Sequence, residues 1–157
     1  IESQNKGNLA KKKLSKISAI CHNDMDPKNV LWKNQVYRII DLECLAYSHP
    51  MLELFEMALC WSGYAECQID FQLFQAFLKG YMKANGQMPS DWKMLYDCNN
   101  SRLEWLEYNL KRVLVIDCTE DERELGIAQV KATLKQIVYY AKMQEEILSN
   151  CQKITVR

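Results

Sequence analysis

The sequence predicts a mainly α protein with one small β-hairpin, organised as a single domain over residues 1–157. Three observations predict it. Two β-rich runs, Val30-Leu31-Trp32 and Val36-Tyr37-Arg38-Ile39-Ile40, are separated only by the turn-prone Lys33-Asn34-Gln35, which reads as a hairpin. Beyond Pro50, apolar residues recur at three- and four-residue steps, the period of an amphipathic helix. At 157 residues the chain has one-domain size and can bury a useful core.

Residues 1–18 are polar and carry five lysines, Lys6, Lys11, Lys12, Lys13 and Lys16. No aromatic residue interleaves with them, so a solvated helix or incoming connector is expected rather than an anion-binding arm. The helical subdomain spans residues 50–150. Its first helix places Leu52, Phe55, Ala58 and Leu59 on one face and is expected to end at Gly63. Phe71, Phe74, Phe77, Leu78 and Tyr81 form the next stripe, up to the Asn85-Gly86 break. Pro89-Ser90-Asp91 opens another helical stretch. From Ser101 onward the stripe is Leu103, Leu106, Leu110, Val113 and Leu114. The final helix opens with Thr119 and Glu122 at capping-box spacing. Its stripe is Ile127, Val130, Leu134, Ile137 and Ala141, with Gly126 weakening the first turns. Stripes at this spacing are expected to face the core.

Composition excludes several classes. Lys+Arg and Asp+Glu both number 20, so no bulk charge draws the chain to nucleic acid or anionic lipid. The longest apolar runs fall far short of a membrane span, and residues 1–20 do not read as a signal peptide. Seven scattered cysteines without a Cys-x-x-Cys pair, and only His22 and His49 as imidazoles, argue against a zinc site and a disulfide framework. Reduced thiols in apolar neighbourhoods suit a cytoplasmic protein. The triplet Asn99-Asn100-Ser101 fits a glycosylation signal and is read as chance in that compartment.

The chemical information is concentrated in residues 22–43. His22-Asn23-Asp24-Met25-Asp26-Pro27-Lys28-Asn29 precedes the hairpin, and Ile39-Ile40-Asp41-Leu42-Glu43 closes it. Transfer of a γ-phosphoryl group asks a protein to hold the triphosphate through Mg²⁺ and to orient an acceptor hydroxyl. A carboxylate beside the acceptor takes its proton or holds it in line. An amide oxygen and a second carboxylate are hard ligands that suit Mg²⁺. Asp24 supplies the first group, Asn29 the amide and Asp41 the second carboxylate. Asp41 lies twelve residues beyond Asn29, about the length of a tight two-strand hairpin, so the two are expected to converge. His22 is expected to position the loop by hydrogen bonds rather than to act as the base, and Glu43 is open between a metal-proximal role and a structural ion pair. Alone, an Asp-x4-Asn spacing is common and usually structural; its conjunction with Pro27, the hairpin and Ile-Asp-x-Glu is much rarer.

This order, His-x-Asp-x-x-x-x-Asn, a hairpin, then Ile-Asp-x-Glu, resembles the catalytic segment of the aminoglycoside phosphotransferase and choline kinase family, which has the protein-kinase-like fold. The resemblance implies that the chain is part of the helical C-terminal lobe of that α+β fold. It implies that Asp24 is the catalytic proton acceptor, supported by His22. Asn29 and Asp41 would hold Mg²⁺ and with it ATP or GTP, and Glu43 matches an acidic residue often found near that metal. The family's next segment, Gly-Asp-Pro-x-x-Asp-Leu-Ala, stands here as Ser48-His49-Pro50-Met51-Leu52-Glu53-Leu54-Phe55. Pro50 and Leu54 match, while His49 and Glu53 depart; Glu53 can still accept hydrogen bonds from loop amides. The later helices resemble the family only in general character.

The family's nucleotide-covering glycine-rich loop and strand lysine have no counterpart among the five glycines and the lysines of this sequence. The expectation is therefore a C-terminal lobe fragment of a small-molecule kinase, poorly active by itself, with a missing N-terminal lobe in the parent protein. The acceptor is expected to be a small hydroxyl compound, an amine or a sugar. Asp97, Glu104 and Glu107, near Trp105 and Tyr108, are candidates to receive it. Glu107 and Lys111 also read as a routine surface pair. The competing reading is a non-catalytic binding or assembly module that keeps the lobe without the reaction. A protein kinase ranks below both, because Ile-Asp-Leu-Glu stands where Asp-Phe-Gly would and no Ala-Pro-Glu follows.

Overall fold

Seven helices and two separate two-stranded sheets account for the described residues, which in this computed structural model are 2–99, 101–114 and 117–155. In chain order they are α1 (Glu2–Lys13), β1 (Ala19–Cys21), β2 (Val30–Lys33), β3 (Val36–Ile39) and β4 (Ala46–Ser48). Then come α2 (Pro50–Cys60), α3 (Phe71–Lys83), α4 (Trp92–Cys98), α5 (Ser101–Leu114), α6 (Glu120–Lys142) and α7 (Gln144–Thr155). The mainly α class and the small hairpin are as the sequence predicts.

The core is made by α2, α3, α4 and α7. Phe55, Ala58, Leu59, Phe74, Leu78 and Ile147 are completely buried, and Trp92 packs against Phe55 with ring centroids 6.1 Å apart. Each such large side chain contributes roughly 1.5–3 kcal/mol by leaving water. Polar caps fix where the helices begin. Asp70 accepts from the Gln72 and Leu73 amides at 2.7 and 3.2 Å, and Asp91 accepts from the Met94 amide at 2.8 Å. The predicted capping box is present: the Glu122 amide donates to Thr119 Oγ1 and the Thr119 amide to Glu122 Oε2.

Several expectations need correction. α2 stops at Cys60, before Gly63, because the chain turns at Trp61 and Gly63 is used in the following turn at φ +93°. The segment before residue 18 is not simply solvated: Gly7 and Ala10 are buried on one face of α1, which contacts α4, and Lys11 reaches Glu104 at 3.3 Å. The final helix is two helices. α6 ends at Lys142, and α7 inserts Ile147, Cys151 and Ile154 into the core.

The α5 and α6 stripes face the interior only in part: Leu103, Leu106, Val113, Val130 and Ile137 are half-buried. Leu110, Leu114, Ile127 and Leu134 are exposed, while Asn109, Gly126 and Thr133 are buried. The two helices meet along this seam of small and polar residues. A Cβ on Gly126 would come 2.7 Å from Val113 Cγ2, so the close approach depends on glycine there. Asn109 Nδ2 and Thr133 Oγ1 satisfy themselves by bonding carbonyls of their own helices, Trp105 O and Gln129 O.

The hairpin pairs Val30 with Ile39 and Lys33 with Val36, leaving only Asn34 and Gln35 in the turn, both left-handed at φ 50° and 63°. Lys33 is therefore the last residue of β2 rather than part of the turn. β1 pairs antiparallel with β4, Ala19 opposite Ser48 and Cys21 opposite Ala46. This second sheet joins the two ends of the predicted catalytic segment.

Candidate active site

Asn23 is the junction of the segment. Its φ of 62° turns the chain sharply out of β1, a conformation asparagine tolerates better than most residues. Its Nδ2 donates to Cys21 O at 3.1 Å and to Cys44 O at 2.9 Å, and its Oδ1 accepts from Ser48 Oγ at 2.7 Å. Its backbone amide donates to Glu53 Oε1 at 2.7 Å. One side chain thus ties the loop to both strands of the β1–β4 sheet, and Glu53 ties it to the first turn of α2.

The next residues are held in the same manner. Trp61 Nε1 donates to Met25 O at 2.8 Å, anchoring the loop from the end of α2. Pro27 opens a single 3-10 turn, Pro27–Asn29, closed by the Asn29 amide on Asp26 O at 2.9 Å. That turn points the Asn29 side chain back to Asp24. Asn29 Nδ2 donates to Asp24 O at 2.7 Å and to Asp24 Oδ2 at 2.9 Å. With Nδ2 engaged there, Oδ1 is the acceptor end of the amide.

His22 is buried, and both its ring nitrogens face backbone. Nδ1 accepts from the Asp24 amide at 3.3 Å, so the ring hydrogen sits on Nε2, which donates to Ile40 O at 3.0 Å. Ile40 in turn donates its amide to Asn29 O at 3.0 Å. The chain leaves β3 at Ile39 because Ile40 is taken by these two partners. Asp41 follows at once in a left-handed conformation, φ 63° and ψ 59°. The hairpin therefore returns Asp41 to the Asp24–Asn29 loop. Glu43 sits in the next 3-10 turn, Leu42–Cys44, and is exposed.

Asp24 also stands at a cleft of about 320 Å³ between the loop, α2 and the α4–α5 junction. Five carboxylates line it, those of Asp24, Asp26, Glu53, Glu56 and Glu104. Two cations, Lys11 and Arg102, line it as well. Lys28 lies 3.7 Å from Asp24 Oδ2 and 3.9 Å from Asp26 Oδ2. His49 borders the same cleft; burial lowers its pKa, which keeps it neutral at pH 7, and its Nε2 meets Ser15 Oγ at 3.0 Å. Burial, with Asp26 and Glu56 adding to it, pushes the Cys60 thiol up to about 12.

Of the three acceptor candidates, only Glu104 borders the cleft. Glu107 is paired with Lys111 in solvent, where that ammonium holds its carboxyl below the usual range. Asp97 pairs with Lys93 and lines a separate cavity of about 140 Å³ beside Tyr96 and Tyr140. Trp105 and Tyr108 stack at 5.4 Å and remain exposed. Asn23, Ser48, His49, Trp61 and Arg102 are contributors that sequence reasoning left out of the site. Only Asn23 had a local signal, its tolerance of positive φ; the others come from distant elements.

Comparison with models of known protein families, with curated proteins and with solved structures finds no match. No described helix is long and apolar enough to cross a membrane.

Proposed function

We propose that this chain carries the metal- and acceptor-binding half of a phosphotransferase of the aminoglycoside phosphotransferase and choline kinase type. The observation that carries the reading is the clasp around one loop: Asn29 on Asp24, and Ile40, the residue before Asp41, on both Asn29 and His22. An acid on the wall of an acidic cleft, with an amide oxygen and a second acid supplied by the same segment, are the groups that phosphoryl transfer asks of a protein.

The donors fit Mg²⁺. Asn29 Oδ1 and the Asp41 carboxylate are hard oxygen ligands, with Glu43 exposed close by in sequence. Among the described residues no group of three or more His, Cys, Asp or Glu could hold a metal ion, so in this reading Mg²⁺ would arrive with ATP or GTP and would be held by Asn29 and Asp41. When bound, Mg²⁺ neutralises charge on the phosphates. Asp24 orients the acceptor hydroxyl and takes its proton as that oxygen bonds to the γ-phosphorus and the bond to the bridging oxygen breaks. Asn29 and Lys28 hold the Asp24 carboxylate in place. His22, with both nitrogens engaged by backbone, positions the loop. Asp26, Glu53, Glu56 and Glu104 make the cleft suited to an amine-bearing acceptor.

A nucleotide-binding β-rich lobe is part of this reading. The β2–β3 hairpin is uncovered on both faces, with Leu31, Trp32, Val36 and Tyr37 each more than half exposed. An isolated two-stranded hairpin is marginal in water, so a covering lobe accounts for that surface. The same surface would suit the competing reading of a non-catalytic assembly module. Calorimetry with ATP and GTP, with and without Mg²⁺, separates them: Mg²⁺-dependent binding that Asp41→Asn weakens supports the enzyme, and nucleotide binding insensitive to both Mg²⁺ and Asp41 rules it out.

A further inference from the structure

α5 packs chiefly on α6, and the two form an antiparallel pair of helices. Three contacts fix how they face. A Cβ at Gly126 would meet Val113, Trp105 Nε1 donates to Gln129 Oε1 at 3.4 Å, and Arg112 reaches Glu122 at 3.6 Å. The last two contacts lie on one side of the seam. The other side carries Leu110 and Leu114, one turn apart on α5, and Ile127, Leu134 and Val138, at steps of seven and four on α6. At 3.6 residues per turn these positions fall roughly a quarter-turn from Asn109 and Gly126, away from Trp105 and Gln129. The five therefore share one face, and all are exposed, Leu114 to 74% and Val138 to 69%. A helix pair that keeps aliphatic groups on a common outer face marks an interaction surface.

We propose that this face is the interface of a two-fold dimer of this chain, with α6 running antiparallel to α6 of the second copy. The charge along α6 argues for that occupant and that direction. On the rim of the stripe, Glu120 and Glu124 stand towards the N-terminal end and Lys135 and Lys142 towards the C-terminal end, all exposed. A two-fold axis near Val130 and Lys131 sets Ile127 of one copy opposite Leu134 of the other. It also brings Glu120 and Glu124 of each copy alongside Lys142 and Lys135 of the other. Parallel helices would set like charges together. Lys131, beside the axis, is long enough to turn its ammonium outward while its stem covers apolar surface. The size agrees: α6 runs about 33 Å from Glu120 to Lys142 and the pair is about 20 Å wide, roughly 660 Å² against the about 800 Å² each partner gives to a standard interface. A lipid surface is disfavoured, because the rim carries acidic and basic groups in equal number. None of these residues lines the acidic cleft, so the inference is independent of the phosphotransferase reading.

Sedimentation velocity on the full chain, from about 1 µM to about 0.2 mM, reads the association directly. A species of twice 18.4 kDa is expected, its fraction rising with concentration. Leu134→Glu, at a position 48% exposed, should raise the dimer Kd at least about tenfold, since a change in a two-fold interface acts twice. Trp32→Glu, on the exposed β2–β3 hairpin, should leave the Kd unchanged. Glu124→Lys should weaken the dimer, and Glu124→Lys/Lys135→Glu should restore it, a recovery that only the pairing of opposite helix ends produces. Circular dichroism checks that each variant keeps its helices, and Val138→Glu takes the place of Leu134→Glu if that variant unfolds. A chain that stays monomeric throughout, a dimer that survives Leu134→Glu, one that Trp32→Glu dissolves, or a charge reversal that the double variant fails to repair would each overturn the proposal.

Discussion

The backbone amide of Asn23 and the carboxylate of Glu53 meet at 2.7 Å, joining a left-handed residue of the loop to the first turn of α2. The bond explains how a strained turn is held beside Asp24. The positive φ leaves the Asn23 amide pointing away from β1, and a carboxylate at a helix N-terminus, where it also complements the helix dipole, receives it. Glu53→Gln should cost about 1–3 kcal/mol, because a charge-assisted bond becomes a neutral one or is lost. Each kcal/mol appears as roughly 2–4 °C in Tm for a chain of this size. Glu53→Asp should be nearly as damaging, since the shorter side chain cannot span from α2 without moving the loop. An unchanged Tm in both variants would show that the loop holds itself.

On the phosphotransferase reading, Asp24→Ala should lower phosphoryl transfer by about two to four powers of ten, with little change in thermal stability. Asn29 would keep its bond to the Asp24 carbonyl, which the substitution does not touch. Retained transfer would rule out Asp24 as the proton acceptor.

The α5–α6 seam predicts coupling between Gly126 and Val113. Gly126→Ala alone gains about 1 kcal/mol of helix propensity but forces the new methyl against Val113 Cγ2, a cost of roughly 1–3 kcal/mol. Val113→Ala alone leaves a small void. Together the two should be less destabilising than the sum of the singles, measured as a double-mutant cycle in urea unfolding. Strict additivity would mean that the helices separate freely at this point.

Alkaline pH should destabilise the fold through buried thiols. Burial raises Cys60 and Cys151 from an ordinary value of 9.0 to about 12. Both stay protonated in the folded state while the unfolded chain ionises, so their contribution is complete below pH 9 and is lost as pH rises from 9 towards 12. Tm followed from pH 8 to 11 should fall, and less so in Cys60→Ala/Cys151→Ala. In thiol labelling at pH 8, exposed Cys44 should react before Cys60, Cys98 and Cys151.

Phe74→Ala should be among the most damaging core substitutions, costing about 3–5 kcal/mol, because the ring is fully buried on α3, which packs on α2 and α7, with the Phe71 ring centroid 6.1 Å away. A Tm loss of only a degree or two would mean that the core collapses around the void.

Features with short-range causes were legible in the sequence. The hairpin was visible because its strands are joined by a turn, α2 and α3 because their apolar period lies within a few residues, and α4 because Pro89-Ser90-Asp91 opens it. The α5 and α6 stripes were only partly right: Leu103, Leu106, Val113, Val130 and Ile137 are half-buried, whereas Leu110, Leu114, Ile127 and Leu134 fall on a side that no described neighbour covers. What buries those helices is Gly126, Thr133 and Asn109, small and polar residues that hydrophobic periodicity does not register. The β1–β4 sheet and α7 escaped notice for related reasons. β1 finds its partner about twenty-five residues away, and the break at Met143 carries neither Gly nor Pro.

The sequence by itself determined the helical class, the hairpin and the Thr119–Glu122 capping box, since each follows from local spacing and residue chemistry. Only the tertiary structure decided that His22 spends both nitrogens on backbone, that Glu53 holds the loop, and that Glu104 but neither Glu107 nor Asp97 borders the cleft. It alone showed Arg102 lining that cleft without an ion pair among the described residues. The physical reason is range. Propensity and periodicity act over a few residues, whereas hydrogen-bond partners and counter-ions are chosen by whichever distant element the core packing brings within about 3 Å.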